Sequence, residues 1–285
     1  MSGPERVHLA TNGIVLHTLC AGDPQAPLVI LLHGFPDFSE GWRDYVTPLA
    51  EAGFRVLAPD QRGYNLSSKP VGVASYRIET LVEDVIGLIE GAGRERAILG
   101  GHDWGGAVAW WAAHTRPDRV EKLAVFCVPH PTVMRQAILR PGPQTLKSWY
   151  MGFFQLPGLP EWAFARAGGR PFFQQLEKGA IAPAFRGREA EYLAAWQQPG
   201  AWTGMLNWYR AARAQVGLPP EAPAKIPAPT QFYWGKREAF MIPELVDASL
   251  ALCERGERID LDGTHWLPHE RATEVLPRLL AFLKS

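Results

Sequence analysis

Gly100-Gly101-His102-Asp103-Trp104-Gly105-Gly106-Ala107 is the stretch that decides the fold of this chain. An apolar run, Ala97–Gly100, leads into it, and a helical pattern leads out. A strand that turns at once into a helix needs backbone to pass close to backbone, and the small residues at 101, 105 and 106 permit this. The residue at the tip is forced outward, above the carboxyl ends of the strands, where ligands bind in such sheets. The spacing is that of a nucleophile elbow, and Asp103 stands at its tip. The bland alternative is a glycine-rich turn with a surface aspartate. His102 reads as a packing residue.

An aspartate at that place has a chemistry of its own. Its ordinary pKa is about 3.9, so it is an anion at neutral pH without help from a base. Attack on carbon would leave an ester of the enzyme itself. A carboxylate suits strained or activated carbon, such as an epoxide carbon or one bearing halide, and suits ordinary esters and amides poorly.

Outward from the elbow, short apolar runs predict buried strands at Leu28–Leu32, Phe54–Ala58, Ala97–Gly100 and Leu123–Val128. Alternating residues around Asn12-Gly13 predict a hairpin with a type I′ turn. Helical patterns lie between the strands. One carries a capping box, Thr80 to Glu83, ahead of Val82, Val85, Ile86 and Ile89. The alternation implies parallel βαβ units. It stops near Pro129. From about Pro131 to Leu218 the chain is helical in pattern and rich in Trp, Phe and Tyr. After a proline-rich connector, strands resume at Gln231–Trp234 and Arg258–Leu261, and Glu270–Leu283 predicts a closing helix. The division expected is a core of residues 1–130 and 227–285, with residues 131–226 inserted as a helical cap.

Two further loops complete a site. His33-Gly34-Phe35-Pro36 follows the first central strand, where such folds supply one oxyanion-hole N–H; the other comes from the residue after the nucleophile. The candidates are Phe35 and Trp104, and one such donor is worth about 3–4 kcal/mol of barrier. The same loop is also readable as a turn, with a cis proline. Hydrolysis of an ester on Asp103 needs a base near neutral pH, held by an acid. The chain order nucleophile, acid, histidine selects Glu238 and His265, each on a loop that follows a strand. Asp247 is the fallback acid. His17, His33, His114 and His269 fit the base less well.

Composition narrows the classes. The 285 residues carry 29 Lys plus Arg against 29 Asp plus Glu, so there is no electrostatic footprint for nucleic acid or an anionic membrane. No apolar run approaches the roughly 20 residues of a membrane span, and the N-terminus shows no signal peptide. Cys20, Cys127 and Cys253 are odd in number and scattered, which suggests thiols in a reducing compartment. Cytoplasm is the default. No Cys/His spacing suggests zinc, and neither metal nor organic cofactor is expected. Oligomeric state stays open, a homodimer included.

Together the elbow G-H-D-W-G-G, the loop H-G-F-P, the segment Asp60–Ser67 and the ending G-T-H-W resemble α/β-hydrolase-fold epoxide hydrolases of the soluble type. The resemblance runs from about residue 7 to 283. Ser148–Gly158 and Leu206–Arg210 are similar to the family's two cap-tyrosine segments, which places those tyrosines at Tyr150 and Tyr209. The resemblance implies a mostly parallel sheet flanked by helices, with a helical cap. It implies that both phenols hold the oxygen of an apolar epoxide, that Asp103 attacks carbon, and that water activated by His265 and Glu238 releases a vicinal diol. Singly, either tyrosine is also readable as a packing aromatic. Glu238 stands where the family usually has aspartate. Asn65 stands where glycine is common. Trp149, Phe153, Phe154 and Trp208 suggest a hydrophobic tunnel between cap and core, and are equally readable as ordinary cap packing.

A dehalogenase on the same scaffold is the rival. Haloalkane dehalogenases typically carry Asn where this chain has Phe35, and haloacetate dehalogenases place arginines where it has Trp104 and Gly106. A non-catalytic ligand-binding protein of this fold would lose some catalytic element, and none is missing. A serine esterase is disfavoured because Ser67, Ser68 and Ser148 lie outside the elbow.

Overall fold

Asn12 and Gly13 both take positive φ, 41° and 72°, and close the hairpin of β1 (Glu5–Thr11) and β2 (Ile14–Ala21). The computed structural model describes residues 3–181, 184–214 and 217–285. The central strands are β3 (Leu28–Leu32), β4 (Arg55–Pro59), β5 (Ala97–His102), β6 (Val120–Phe126), β7 (Thr230–Gly235) and β8 (Gly256–Leu261). They form one eight-stranded sheet in the order β1-β2-β4-β3-β5-β6-β7-β8. β1 and β2 pair antiparallel, as do β2 and β4, and the remaining pairs are parallel. This is the α/β-hydrolase architecture expected from the sequence.

Both faces of the sheet are covered, which is why β3 and β5 read as unbroken apolar runs. Along β3, Leu28, Ile30 and Leu32 enter one core cluster, while Val29 and Leu31 enter the other. This is the two-residue alternation of a strand. Each such side chain, fully buried, contributes about 1.5–3 kcal/mol. The first cluster takes in α2 (Ile78–Gly91) and α3 (Trp104–Thr115). The second takes in α1 (Arg43–Glu51) and the last helix.

Between β6 and β7 the described residues hold helices and no strand. They are α4 (Pro131–Leu139), α5 (Pro143–Lys147), α6 (Trp149–Phe153), α7 (Leu159–Ala165), α8 (Arg170–Gly179), α9 (Glu189–Trp196) and α10 (Ala201–Ala212). This segment is anchored on the loops that leave the carboxyl ends of β3 and β4. Trp196 Nε1 donates to Pro36 O at 2.7 Å, and Trp208 Nε1 to Arg62 O at 2.9 Å. Gly204 lies so close to Gly63 that a Cβ there would meet its carbonyl oxygen at 2.5 Å.

Two helix expectations are corrected. α2 begins at Ile78, so Thr80 lies inside the helix and caps nothing. Asn12 Nδ2 donates to Thr80 O and to Asp84 Oδ1, so the hairpin turn docks on that first turn from outside. The closing helix is two helices, α12 (Leu267–Glu270) and α13 (Ala272–Lys284), after α11 (Glu244–Leu250). Arg271 breaks them apart with φ −127° and ψ 28°, its Nε donating to Asp262 O at 2.7 Å. Asp60 acts as a brace: it accepts from His17 Nδ1 at 2.9 Å, Ser39 N at 2.8 Å and Asn65 Nδ2 at 2.8 Å. Asn65 takes the left-handed φ of 38° that glycine would supply. All three cysteines are buried and free.

Candidate active site

Asp103 sits at the turn from β5 to α3 with φ 49° and ψ −123°, a conformation that costs a non-glycine residue roughly 1–3 kcal/mol. Close packing holds it there. A Cβ on Gly101 would meet Gly105 O at 2.4 Å, and one on Gly105 would meet Leu32 O at 2.2 Å. The carboxylate is turned toward the β3 loop, where Phe35 N–H donates to Oδ1 at 2.8 Å. Gly34 is required beside it, because a Cβ there would lie 2.5 Å from that oxygen. The Phe35–Pro36 peptide is cis. Trp104 is the first residue of α3, so its N–H has no intrahelical acceptor. Burial works against the Asp103 anion. His265 and the Phe35 N–H outweigh it and hold its pKa below the usual carboxylate value.

His265 stands between two carboxylates. Its Nδ1 donates to Glu238 Oε2 at 2.8 Å, and its Nε2 lies 3.6 Å from Asp103 Oδ2, beyond hydrogen-bond range. Burial disfavours the charged ring, but Glu238 and Asp103 push its pKa up to about 10. Glu238 is fully enclosed, and its second oxygen accepts from Phe240 N at 2.7 Å. Asp247, the fallback acid, is instead paired with Arg258 at 3.1 Å on the exposed side of α11.

The sequence reading missed the supports of this histidine. Glu270 accepts from Thr264 N and Thr264 Oγ1, each at 2.7 Å, and so clamps the loop that carries His265. His102 is more than a packing residue. Burial lowers its pKa to about 3, so it is neutral, and Nε2 donates to His265 O at 2.8 Å. The Phe240 ring stands edge-on to the imidazole at 5.0 Å. A second buried pair, His269 Nε2 on Asp37 Oδ2 at 2.8 Å, ties α12 to the loop after β3, and Tyr192 of α9 donates to Asp37 Oδ1 at 2.8 Å. Nothing in the spacing of these residues announced them, since His269 and Asp37 are 232 positions apart.

Tyr150 of α6 and Tyr209 of α10 face the same space as Asp103. Their rings are 6.2 Å apart, and all three line a cavity of about 340 Å³. Burial, then the Asp103 charge, raises the pKa of both phenols, so both keep their protons. The cavity is apolar, but Val128, Met134, Ile138, Met151 and Met241 line it, and Trp149, Phe153, Phe154 and Trp208 do not. Phe154 packs on Phe35 at 5.6 Å and on Tyr209 at 4.8 Å. Trp208 packs on Trp104 at 5.9 Å, and Trp149 is 71% exposed. Among the described residues no cluster of three or more His, Cys, Asp or Glu could hold a metal ion, and no helix is long and apolar enough to cross a membrane.

Three comparisons bear on what this arrangement does. Residues 27–272 match the α/β hydrolase fold family. The chain is 45% identical, over the full length of both, to the AB hydrolase superfamily protein YfhM of Bacillus subtilis (strain 168). It is 34% identical to epoxide hydrolase A of Mycobacterium tuberculosis (strain ATCC 25618 / H37Rv), over 99% of this chain and 98% of that one. Among solved structures, Bacillus megaterium epoxide hydrolase in complex with an inhibitor superposes with a TM-score of 0.86 at 31% identity, covering 98% of this chain and 100% of that one.

Proposed function

The chain belongs to the α/β hydrolase fold family and, within it, to the epoxide hydrolases, and from that premise we propose that it opens apolar epoxides through a covalent ester on Asp103. The observation that carries this reading is the line Asp103–His265–Glu238, with separations of 3.6 and 2.8 Å, in a cavity that also presents Tyr150 and Tyr209. Residues 131–226 act as the cap that presents the tyrosines, and residues 1–130 and 227–285 as the core that carries the charges.

The steps balance as follows. Asp103, an anion, attacks the less hindered epoxide carbon, and the C–O bond breaks toward the phenols. Tyr150 and Tyr209 hydrogen-bond the developing alkoxide, and the proton it takes up is made good by the imidazolium of His265. Ester formation also removes the Asp103 charge that favoured that imidazolium. His265 is therefore left neutral, still oriented by Glu238, when a base is needed. Water gives His265 a proton and attacks the Asp103 carbonyl carbon. The Phe35 and Trp104 N–H groups receive the oxyanion. Collapse expels the diol, and Asp103 and the imidazolium are restored.

The trap is His265→Gln. This variant should still form the ester, because the Phe35 N–H still holds the Asp103 anion and a phenol itself can give the alkoxide its proton, but hydrolysis, left without its base, should slow by about 10²–10⁴-fold. Intact-protein mass after mixing with styrene oxide should rise by one substrate, on the peptide containing Asp103. An adduct elsewhere, or diol released at the native rate with no adduct, contradicts the scheme.

A further inference from the structure

The chain leaves the core for the helical segment once and returns once, and two buried imidazoles that the chemistry above does not use join those crossings. His130 caps α4, and its neighbours Pro129 and Pro131 line the cavity, as do Met134 and Ile138 further along that helix. His114 lies in the last turn of α3. The two are 0% and 1% exposed. His114 Nε2 meets Pro223 O at 2.8 Å, on the connector that returns to β7. His114 Nδ1 meets His130 Nε2 at 3.1 Å, and His130 Nδ1 meets Thr132 Oγ1 at 2.8 Å and Thr132 N at 3.2 Å.

These contacts allow one arrangement of protons. A carbonyl only accepts, so the proton of His114 is on Nε2. Its Nδ1 is then a lone pair, and His130 Nε2 donates to it. Thr132 N–H donates to His130 Nδ1, which excludes a proton there too, and the Thr132 hydroxyl donates beside it. Both rings are neutral, and the bonds run unbroken from the first turn of α4 to the connector. A proton added to either Nδ1 would face a donor. Among the described residues, nothing packed around the pair offsets such a charge. α3 offers the rings of Trp110 and Trp111 to His130, at 5.8 and 6.1 Å, and α11 offers Ser249 Oγ, which accepts from His130 N–H at 2.9 Å. The charged groups of these elements are engaged or exposed elsewhere. Arg116 pairs with Glu83 at 2.5 Å and Asp247 with Arg258 at 3.1 Å, while Arg135, Glu221, Lys225 and Glu244 are exposed. Burial accordingly lowers the pKa of both rings, that of His130 to about 3, where the His114 charge adds to the effect.

We propose that His114 and His130 form an acid-released latch, which holds the α4 wall of the cavity in place while both rings are neutral and loosens it when either takes a proton. In the closed form an added proton finds no acceptor. With the latch open, each ring is solvated and takes a proton at the ordinary histidine value of about 6.5. The closed form therefore binds protons less tightly than the open one. Its hold is complete above pH ~6.5 and weakens as pH falls below that value, toward about 3. Between pH ~7.5 and pH ~5 one such ring raises the opening constant by about 30-fold. The catalytic pair does not share this window, because Asp103 is held below the usual carboxylate value and His265 at about 10. The hold on α4 is also independent of which electrophile Asp103 attacks.

Hydrogen exchange read by mass spectrometry tests the latch without any substrate. After correction for intrinsic exchange, protection of the α4 amides should fall by about 30-fold between pH ~7.5 and pH ~5, while β5 and α13 keep theirs. His114→Gln with His130→Asn removes both titrating rings, yet keeps a donor for Pro223 O and a capping acceptor for Thr132 N–H. In this double variant α4 protection should start lower and stay within about threefold over the same range, since no ring is left to take the proton. Unchanged wild-type protection overturns the proposal, as does an equal fall in the double variant or a fall shared by β5 and α13. Should the double variant not fold, nitrogen-15 spectra of the wild-type imidazoles decide. At neutral pH both rings must be uncharged with the proton on Nε2, and a proton on either Nδ1 overturns the latch.

Discussion

The two sides of the cavity are held by different physics. On the sheet side, groups are fixed by directed bonds: Asp103 by a strained turn and Phe35 N–H at 2.8 Å, His265 by Glu238 at 2.8 Å, and its loop by Glu270 at 2.7 Å. On the helical side, Tyr150 and Tyr209 are placed by ring against ring, within 4.8–6.2 Å of Phe154, Phe35, Trp104 and each other. Hydrogen bonds to backbone fix a carboxylate within a narrow range, whereas aromatic packing fixes a phenol by shape and is worth about 0.5–1.5 kcal/mol per pair. Charge is therefore located by the core, and fit by the helices. Substitutions on the two sides should separate bond making from substrate accommodation.

The largest effect belongs to the core. Asp103→Ala should abolish diol formation, by about 10⁴-fold or more, since no covalent path remains. Affinity for the diol product, read by titration calorimetry, should change far less, because the helical side is intact. A variant that still turns over would show that the sheet side does not hold the nucleophile.

Next comes the helical side. Tyr150→Phe with Tyr209→Phe should slow ester formation by about 10²–10⁴-fold. Ring packing survives the change, so hydrolysis of a preformed ester should hold within a few-fold. Rapid-quench kinetics distinguishes the two steps. Equal slowing of both would mean that the phenols serve the hydrolytic half as well.

A smaller effect lies in the pH dependence of stability. The folded-state pKa of His265 is raised to about 10, against about 6.5 for an unperturbed histidine. The folded protein therefore binds this proton more tightly than the unfolded chain does. The resulting stabilisation is fully present below pH ~6.5 and is lost as pH rises through about 10. Denaturant midpoints should fall across that window. Glu238→Gln should move the upper edge of the fall downward, and an unchanged profile would detach Glu238 from the histidine.

The smallest effect concerns the seam between the two sides. Tyr192→Phe removes the α9 phenol from Asp37 while Phe38 N–H and His269 still satisfy that carboxylate. A loss of about 1–1.5 kcal/mol is expected, seen as a lower Tm, with little change in the rate of ester formation. A large loss of rate would instead couple the helical segment to the loop after β3.

What was legible in the sequence follows the same division. The elbow, the β3 loop and the order Asp103, Glu238, His265 could be read because strand–turn–helix geometry demands particular residues at particular places. Glycine at 34, 101 and 105 is dictated by contacts that leave no room for a Cβ. The helical segment was legible as helix and as the carrier of Tyr150 and Tyr209, but not in its packing. Which aromatics face the cavity depends on how short helices turn against one another, and no period in the chain states it. Trp149 and Phe154 lie five residues apart, yet one faces solvent and the other is buried. The supports at Glu270, His102 and Asp37 were hidden for another reason. They act across tertiary contacts and belong to residue types whose single occurrence carries no signal. The misplaced start of α2 shows the same limit, since a docked hairpin turn meets the first turn where a local capping box was expected.

The central claim is that Asp103 becomes esterified. The direct measurement is a single turnover of styrene oxide by excess enzyme in oxygen-18 water, with the mass of both diol and protein followed. The account predicts diol free of label and heavy oxygen in the carboxylate of Asp103, because water attacks the enzyme's carbonyl carbon and not the epoxide. Labelled diol after one turnover, with unlabelled protein, would contradict it.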